Sequence, residues 1–546
     1  MSTKKRLKRC AFMGLIALVA TIVIIAIGVA IAELRDNGPS QSALPDRSHY
    51  KTRTLQIDLS ENATRFTEPV REDGTIDYIA ALNQSLSQGV TKDNNAFRDI
   101  IQVINPDRWW QDEYDRLLVA LEIDTSASTG QVSFLSWESY YELKIDRYAD
   151  DDEEAKALLE ALLEDPFDHP DAHHLQAWVG MNEQGLDAIG SALNKPKYWC
   201  PLLHDEVGDN QLLIASYGLH HKALRDIAKC FRARLIYETK HGNQEDAADA
   251  VNCILRLAAL QSQAPTLIDG LIAISIEAEA IFAVRQALSH RLLDRVVLAK
   301  IAARFTPTDG RKSIVWHIDV YERCQSLDGM MQIAAGRASF TELTSGDVQQ
   351  RPFDLLFLDE RFDINTALQI INTRFNDLIA LMRSDAYTVF SKRCDAFEES
   401  LTAQQETSEH VLFLERGTEK VLNNGLGHKA HTHALTKYYI GIMMPALSAA
   451  YRTELRLTAN YRNTRVAVAV ERFRLDHGKL PDSLGDLVPN YLHAIPLDPF
   501  NDQPLRYGRT DNGFVAYSVG TNLIDDQGLE DHAKGDTAIV IDWTKP

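Results

Sequence analysis

The sequence predicts a mainly α protein: an N-terminal transmembrane helix, a large irregular helical-array domain, and a small C-terminal α+β module with a short antiparallel sheet. Three observations predict this. Residues 10–32, CAFMGLIALVATIVIIAIGVAIA, hold no charge. From about residue 67 to 475, apolar residues recur every three or four positions and strand-like alternation is rare. After Gly478 the chain breaks into Pro, Gly and Asp turns separated by period-two apolar stretches. The implied divisions are a basic tail over 1–9, the transmembrane helix over 10–32, a spacer over 33–66, the helical domain over 67–450 and the α+β module over 451–546.

The apolar run of 23 residues is long enough, at 1.5 Å per residue, to cross a hydrocarbon core of about 30 Å. Lys4, Lys5, Arg6, Lys8 and Arg9 precede it, and Glu33 and Asp36 follow. The positive-inside tendency keeps the amino terminus in the cytoplasm and exports the rest. Ala30-Ile31-Ala32 also spells an acceptable cleavage site. Cleavable apolar cores are typically about 7–15 residues, so an uncleaved anchor is the favoured reading.

Net charge is −20, and the five basic residues of the tail leave −25 on everything after residue 32. Such a surface repels phosphate backbones, which excludes nucleic-acid binding through a basic face. Beyond the anchor lie Cys200, Cys230, Cys253, Cys324 and Cys394, with no CxxC spacing. They read as buried small apolar residues, with room for one disulfide among them.

Residues 33–66 are polar, rich in Gly, Pro and Ser, and read as a juxtamembrane spacer. Asp150 to Glu154 are five consecutive acids that suit the first turn of a solvated helix. The clearest helical hairpin is residues 223–260. Leu224, Ile227, Phe231 and Leu235 line one face, and Ala247, Val251, Ile254 and Leu257 line another. Gly242 suits a left-handed helix end, and Asn243 with Asp246 suits the next helix start. Two helices joined this tightly pack antiparallel, and the unit resembles a tetratricopeptide-like helical array, although no stable period extends beyond it.

No phosphate loop, HExxH helix or GxSxG elbow occurs, and GLGHKA over 425–430 follows a helical stretch rather than a strand. Histidines gather as His169, His173 and His174, as His220 and His221, and as His428, His431 and His433. Sequence proximity alone does not bring imidazoles to one point, so surface or capping roles are expected, with a transition-metal site as the alternative. Trp109 and Trp110 fit helix packing better than a ligand platform.

At the C-terminal end, ELRLTANYRNTRVAVAVERFRLDHG is an amphipathic helix closed by Gly478. KLPDSLGDLVPNYL adds a turn and a short helix packing Leu484, Leu487 and Val488, and PLDPF makes a corner. PLRYG, GFVAYSVG and TAIVIDW are three short strands. Laying the helix on this sheet is expected to bury Phe473, Tyr507, Phe514, Tyr517 and Trp543 together.

The order FRLDHGKLP, IPLDPFNDQPLRY, YSVG, DTAIVIDW resembles the globular end of the major pseudopilins of type II secretion. With its helical neighbour it also resembles large membrane-anchored proteins of planctomycete-type bacteria. The first resemblance implies a bacterial inner-membrane setting with the bulk of the chain periplasmic. It further implies a calcium loop, in which Asn522 stands where the family commonly has Asp and Asp525, Asp526, Asp531 and Asp536 follow as carboxylate ligands. The anchor lacks the pseudopilin cleavage site and its Glu, so the chain is not expected to be processed and polymerised as a pilin. The expected role is non-enzymatic: an anchored extracytoplasmic protein that binds a protein partner on its helical domain, as a scaffold. The alternatives are an enzyme, such as a hydrolase, with its site in the helical domain, and an accessory protein of a secretion or pilus-like system.

Overall fold

A computed structural model describes residues 53–104, 111–124, 132–146, 152–203, 213, 220–305, 311–338, 357–358, 360–384, 387–416, 428–444, 447–528 and 535–543. They are mainly helical, with one three-stranded antiparallel sheet at the C-terminal end. The transmembrane helix expected over 10–32 lies outside these residues, as do Trp109 and Trp110. Among the described residues no helix is long and apolar enough to cross a membrane.

The hairpin forms as the periodicity requires. His221–His241 and Gln244–Gln261 bury all eight apolar residues named for their facing sides. Gly242 takes φ 79°, and its N–H closes on the carbonyls of Glu238 and Thr239. A Cβ is disfavoured in that left-handed region, so the helix ends there. Asn243 differs from expectation: its amide donates to Glu238 Oε2 at 2.7 Å instead of capping the next helix. The acid run does open a helix, Asp152–Glu164, with Asp152, Glu153 and Glu154 at its start.

The hairpin packs on the helix Leu267–Ser289, which is buried on nearly every side and forms the middle of the body. Thr266 and Asp269 start it with a reciprocal capping box, so two of its free N–H groups are satisfied before tertiary contacts count. Arg295–Arg304, Ile314–His317, a π-helical turn Ile318–Glu322, and Arg323–Ala334 follow.

Residues 53–66, expected as part of a free spacer, are docked on the body. Arg53 donates from Nε to Ala334 O (2.7 Å) and from Nη2 to Phe357 O (3.1 Å), and Leu55 is buried. Polar composition suggested a linker, but a guanidinium can satisfy the open carbonyls at the end of Arg323–Ala334. Cys200, Cys230, Cys253, Cys324 and Cys394 are all free thiols.

The helix Leu447–His477 crosses the boundary drawn at residues 450 and 451. One side packs on Leu267–Ser289 and Arg295–Arg304, and another on the sheet. Gly478, at φ 70°, follows its end. The sheet comprises β1 (Arg506–Thr510), β2 (Gly513–Ser518) and β3 (Thr537–Asp542) in that order, with Tyr507 opposite Ala516 and Phe514 opposite Ile541. Phe473, Tyr507, Phe514 and Trp543 join the main core. Tyr517 does not: it lies on the other face of the sheet with Val515 and Ala538. It stands three positions after Phe514, and an odd separation in a strand points to opposite faces. The core is continuous from Leu55 to Ile541, so helical body and module share it.

The PLDPF corner owes its shape to Asp498, whose side chain is 0% exposed. Its carboxylate accepts from Phe500 N (2.9 Å), Ser518 Oγ (2.8 Å) and Val519 N (2.8 Å). Two segments of the C-terminal pattern are thus one hydrogen-bonded unit.

Candidate functional site

The acidic loop after β2 was the site expected from the resemblance. Asn522 Oδ1 accepts from Ile524 N (3.0 Å), and its amide donates to Asp526 Oδ2 (3.1 Å). Asp525 accepts from Gln527 N (3.0 Å) and the Tyr517 hydroxyl (3.2 Å), and pairs with Arg506 Nε at 3.0 Å. Asp536 Oδ2 accepts from Gly528 N at 2.7 Å, while its buried Oδ1 has no hydrogen bond. Burial first, then Asp526 and Asp525, raise the Asp536 carboxyl. Asp531 lies outside the described residues.

The loop therefore gathers Asp525, Asp526 and Asp536, and Arg506 supplies a positive charge to the first of them. Among the described residues no three of its carboxylates bring oxygens within 4.8 Å of one another. Calcium takes six to eight oxygens, and residues 529–534 of this loop, Asp531 among them, lie outside the described residues.

A second centre sits at the start of Leu267–Ser289. Asp269 Oδ1 accepts from His221 Nε2 (2.7 Å) and Gln261 Nε2 (2.8 Å), and Oδ2 accepts from Thr266 N (3.0 Å) and Oγ1 (2.7 Å). Burial alone would raise this carboxyl; the bonds from His221 and Thr266 override it and pull it down to about 2. His220, 1% exposed, stacks at a tilt on Phe97 (centroids 4.9 Å apart) and on His221 (4.7 Å). Neither of its ring nitrogens has a hydrogen bond. Burial, with His221 adding, drives His220 down to about 3, so the ring is neutral. One ligand atom each from His220, His221 and Asp269 lie within 4.8 Å of one another.

His220 and Asp269 line a cavity of about 30 Å³ with Glu113, Cys200, Leu202 and Thr266. This is room for one water or ion. On the other side of the helix start, His317 donates from Nδ1 to Pro265 O (3.2 Å), and its buried Nε2 has no partner. Its ring lies against Gly270, where an added Cβ would meet Cδ2 at 2.6 Å. The π-helical turn runs on from His317, and such turns often accompany functional positions.

The remaining histidine groups do less. Asp171, His173 and His174 also cluster within 4.8 Å but on the surface, and His174 Nδ1 is engaged by the Tyr140 hydroxyl at 3.0 Å. On the helix His428–Met443, His428 is exposed and His431 buried, so they do not share a site. Sequence reading noted His220 and His221 but missed Asp269, 48 residues away from His221. The available signal was the pattern Thr266-x-x-Asp269, which puts an acid at a helix start directly after the hairpin. The chain matches no protein-family model, no curated relative and no solved structure.

Proposed function

We propose that this chain is a single-pass, membrane-anchored extracytoplasmic protein of a bacterial envelope that acts by holding a protein partner, as a scaffold. One observation carries the reading. The C-terminal module exposes Leu497 (49%), Leu523 (37%) and Ile524 (60%) on segments tied together by Arg506, which reaches Asp498 (3.9 Å) and Asp525 (3.0 Å). Leu523 is held at φ 61°. A bulky residue in that region is strained, and exposing it there gains nothing from folding. Apolar side chains flanking an ion pair match the make-up of a protein-binding face. The helical body, first expected to carry the partner, is then the rigid mount on which this face is presented.

The burial of Leu447–His477 against the body supports the expectation that the module is not a polymerising pilin subunit. The His–Asp centre favours the enzyme reading, but a cavity of about 30 Å³ admits an ion or a water rather than an organic substrate.

The test is a photo-crosslinking amino acid placed at Ile524 of the full chain in native membranes, compared with one at Leu143, equally exposed on the helix Trp137–Lys144. A discrete protein adduct is expected from position 524 and not from 143. No adduct at 524, or the same adducts at both positions, overturns the proposal.

A further inference from the structure

We propose that His220, His221 and Asp269 bind a divalent transition-metal ion of the zinc class, with the fourth position taken by a water in the adjoining cavity. The site is independent of the partner-binding surface.

The donor set comes first. Two imidazoles and a carboxylate are borderline ligands that suit zinc, and three protein ligands plus a water is a recurrent zinc arrangement. Tetrahedral zinc, with bonds of about 2.0–2.2 Å, places ligand atoms about 3.4 Å apart. Here the three ligand atoms fall within 4.8 Å of one another, and His221 Nε2 lies 2.7 Å from Asp269 Oδ1. Small rotations of the two rings would be needed to close the difference. Coordination through His221 Nε2 would replace its hydrogen bond to Asp269 Oδ1, leaving Nδ1 as the ring's N–H, and Asp269 Oδ1 would meet the metal in place of that hydrogen.

His220 supplies the independent reason. A buried nitrogen without a partner is unfavourable, and His220 has two, in a ring 1% exposed that lines the cavity. Hydrophobic packing on Phe97 explains an aromatic ring at this place but not a histidine. A phenylalanine would pack there with no orphaned nitrogen. A metal takes the lone pair of the unprotonated nitrogen directly.

The electrostatics also admit a cation. Two helices, His221–His241 and Leu267–Ser289, begin here, and their N–H ends would repel one. At the second, Thr266 N and Asp269 N are already occupied by the reciprocal bonds of the capping box. Asp269 and Glu113 then place two carboxylates at the cavity wall against one dication. The Asp269 carboxylate is oriented by Gln261 and Thr266, the kind of outer-shell support that fixes metal ligands. The ion would join the starts of two helices that already pack along each other, with Arg232 bonded to Glu279 and Gln286 further on, and so act as a clasp at one end of that contact.

The experiment uses the full chain in detergent. After removal of metal, Co²⁺ or Zn²⁺ is added, with bound metal counted by mass spectrometry, tetrahedral coordination read from the visible bands of Co²⁺, and the unfolding midpoint followed with and without metal. A single tight equivalent, tetrahedral Co²⁺ bands and a raised midpoint are expected. His220→Leu and His221→Gln should each abolish the bands and the shift, whereas the double variant His173→Ala/His174→Ala should retain both. If His220→Leu does not fold, His221→Gln, at a partly exposed position, decides alone. The proposal is overturned if wild type takes up no stoichiometric metal, if folded His221→Gln still shows the Co²⁺ bands, or if the surface double variant loses them. In the first case the cavity holds a water only.

Discussion

Replacing Asp498 by Ala should destabilise the whole protein rather than its last hundred residues. The carboxylate is fully buried and accepts from Phe500 N, Ser518 Oγ and Val519 N at 2.8–2.9 Å. Alanine leaves two buried backbone N–H groups without partners, while the serine hydroxyl can turn elsewhere. At about 1–3 kcal/mol for each orphaned donor, the loss is about 2–6 kcal/mol. Total stabilities of about 5–15 kcal/mol make that a large fraction. Asp498→Asn keeps an acceptor oxygen but turns an NH₂ toward one donor, so about half the loss is expected. Urea titration followed by circular dichroism measures the change. Hydrogen exchange on peptides from β2 and from Leu267–Ser289 shows whether both lose protection together, as a shared core requires. A midpoint change worth less than about 0.5 kcal/mol for Asp498→Ala, or protection lost in β2 alone, would refute the reasoning.

Gly270→Ala should destabilise by about 1–3 kcal/mol through overpacking, although Gly to Ala inside a helix ordinarily gains about 1 kcal/mol. The added Cβ would meet the His317 ring at 2.6 Å; a thermal melt showing a gain would mean that the ring yields freely. Arg311 bridges Glu277 (2.7 Å) and Glu454 (2.9 Å) between the body and the long helix. Arg311→Met should therefore cost about 3–5 kcal/mol by leaving two buried carboxylates uncompensated, and a urea curve unchanged from wild type would contradict this. Burial first, and Glu138 second, raise Asp226 from 3.8 to about 7. Between those values the folded chain holds a proton that the unfolded chain has released, so this group's contribution to stability falls as pH rises through the window. Asp226→Asn should gain on wild type progressively from about pH 4 to 7 and keep a constant advantage above; a pH-independent difference in melting temperature would exclude that cause.

The sequence made the local elements readable and left their meetings hidden. The hairpin was legible because each helix carries its own 3.6-residue stripe and Gly242 marks the turn between them. The three strands were legible from alternation, yet Tyr517 was assigned to the wrong face although parity alone forbids it. Residues 53–66 looked like linker because composition records polarity but not the carbonyls that Arg53 reaches 281 residues away. The acidic loop was found through its motif, but the pairing of Asp525 with Arg506 depends on how β1 lies beside that loop. The His–Asp centre was the least legible. Its parts come from three helix ends, and only the packing of the hairpin on Leu267–Ser289 brings Asp269 to His221.

The helix Leu447–His477 has 31 residues, which makes it a rod of about 46 Å. One flank is gripped by the body along its length, through Arg311–Glu454 near the start and Arg295–Asp476 near the end, and another flank carries the sheet. A tug on the exposed leucines of the module would therefore act as torque on a stiff shaft instead of being absorbed by a flexible joint. Its natural outlet is the row of contacts along Leu267–Ser289, the helix whose first turn holds Asp269. Mechanical load, rather than sequence distance, is the measure by which Asp269 and the exposed leucines of the module are neighbours.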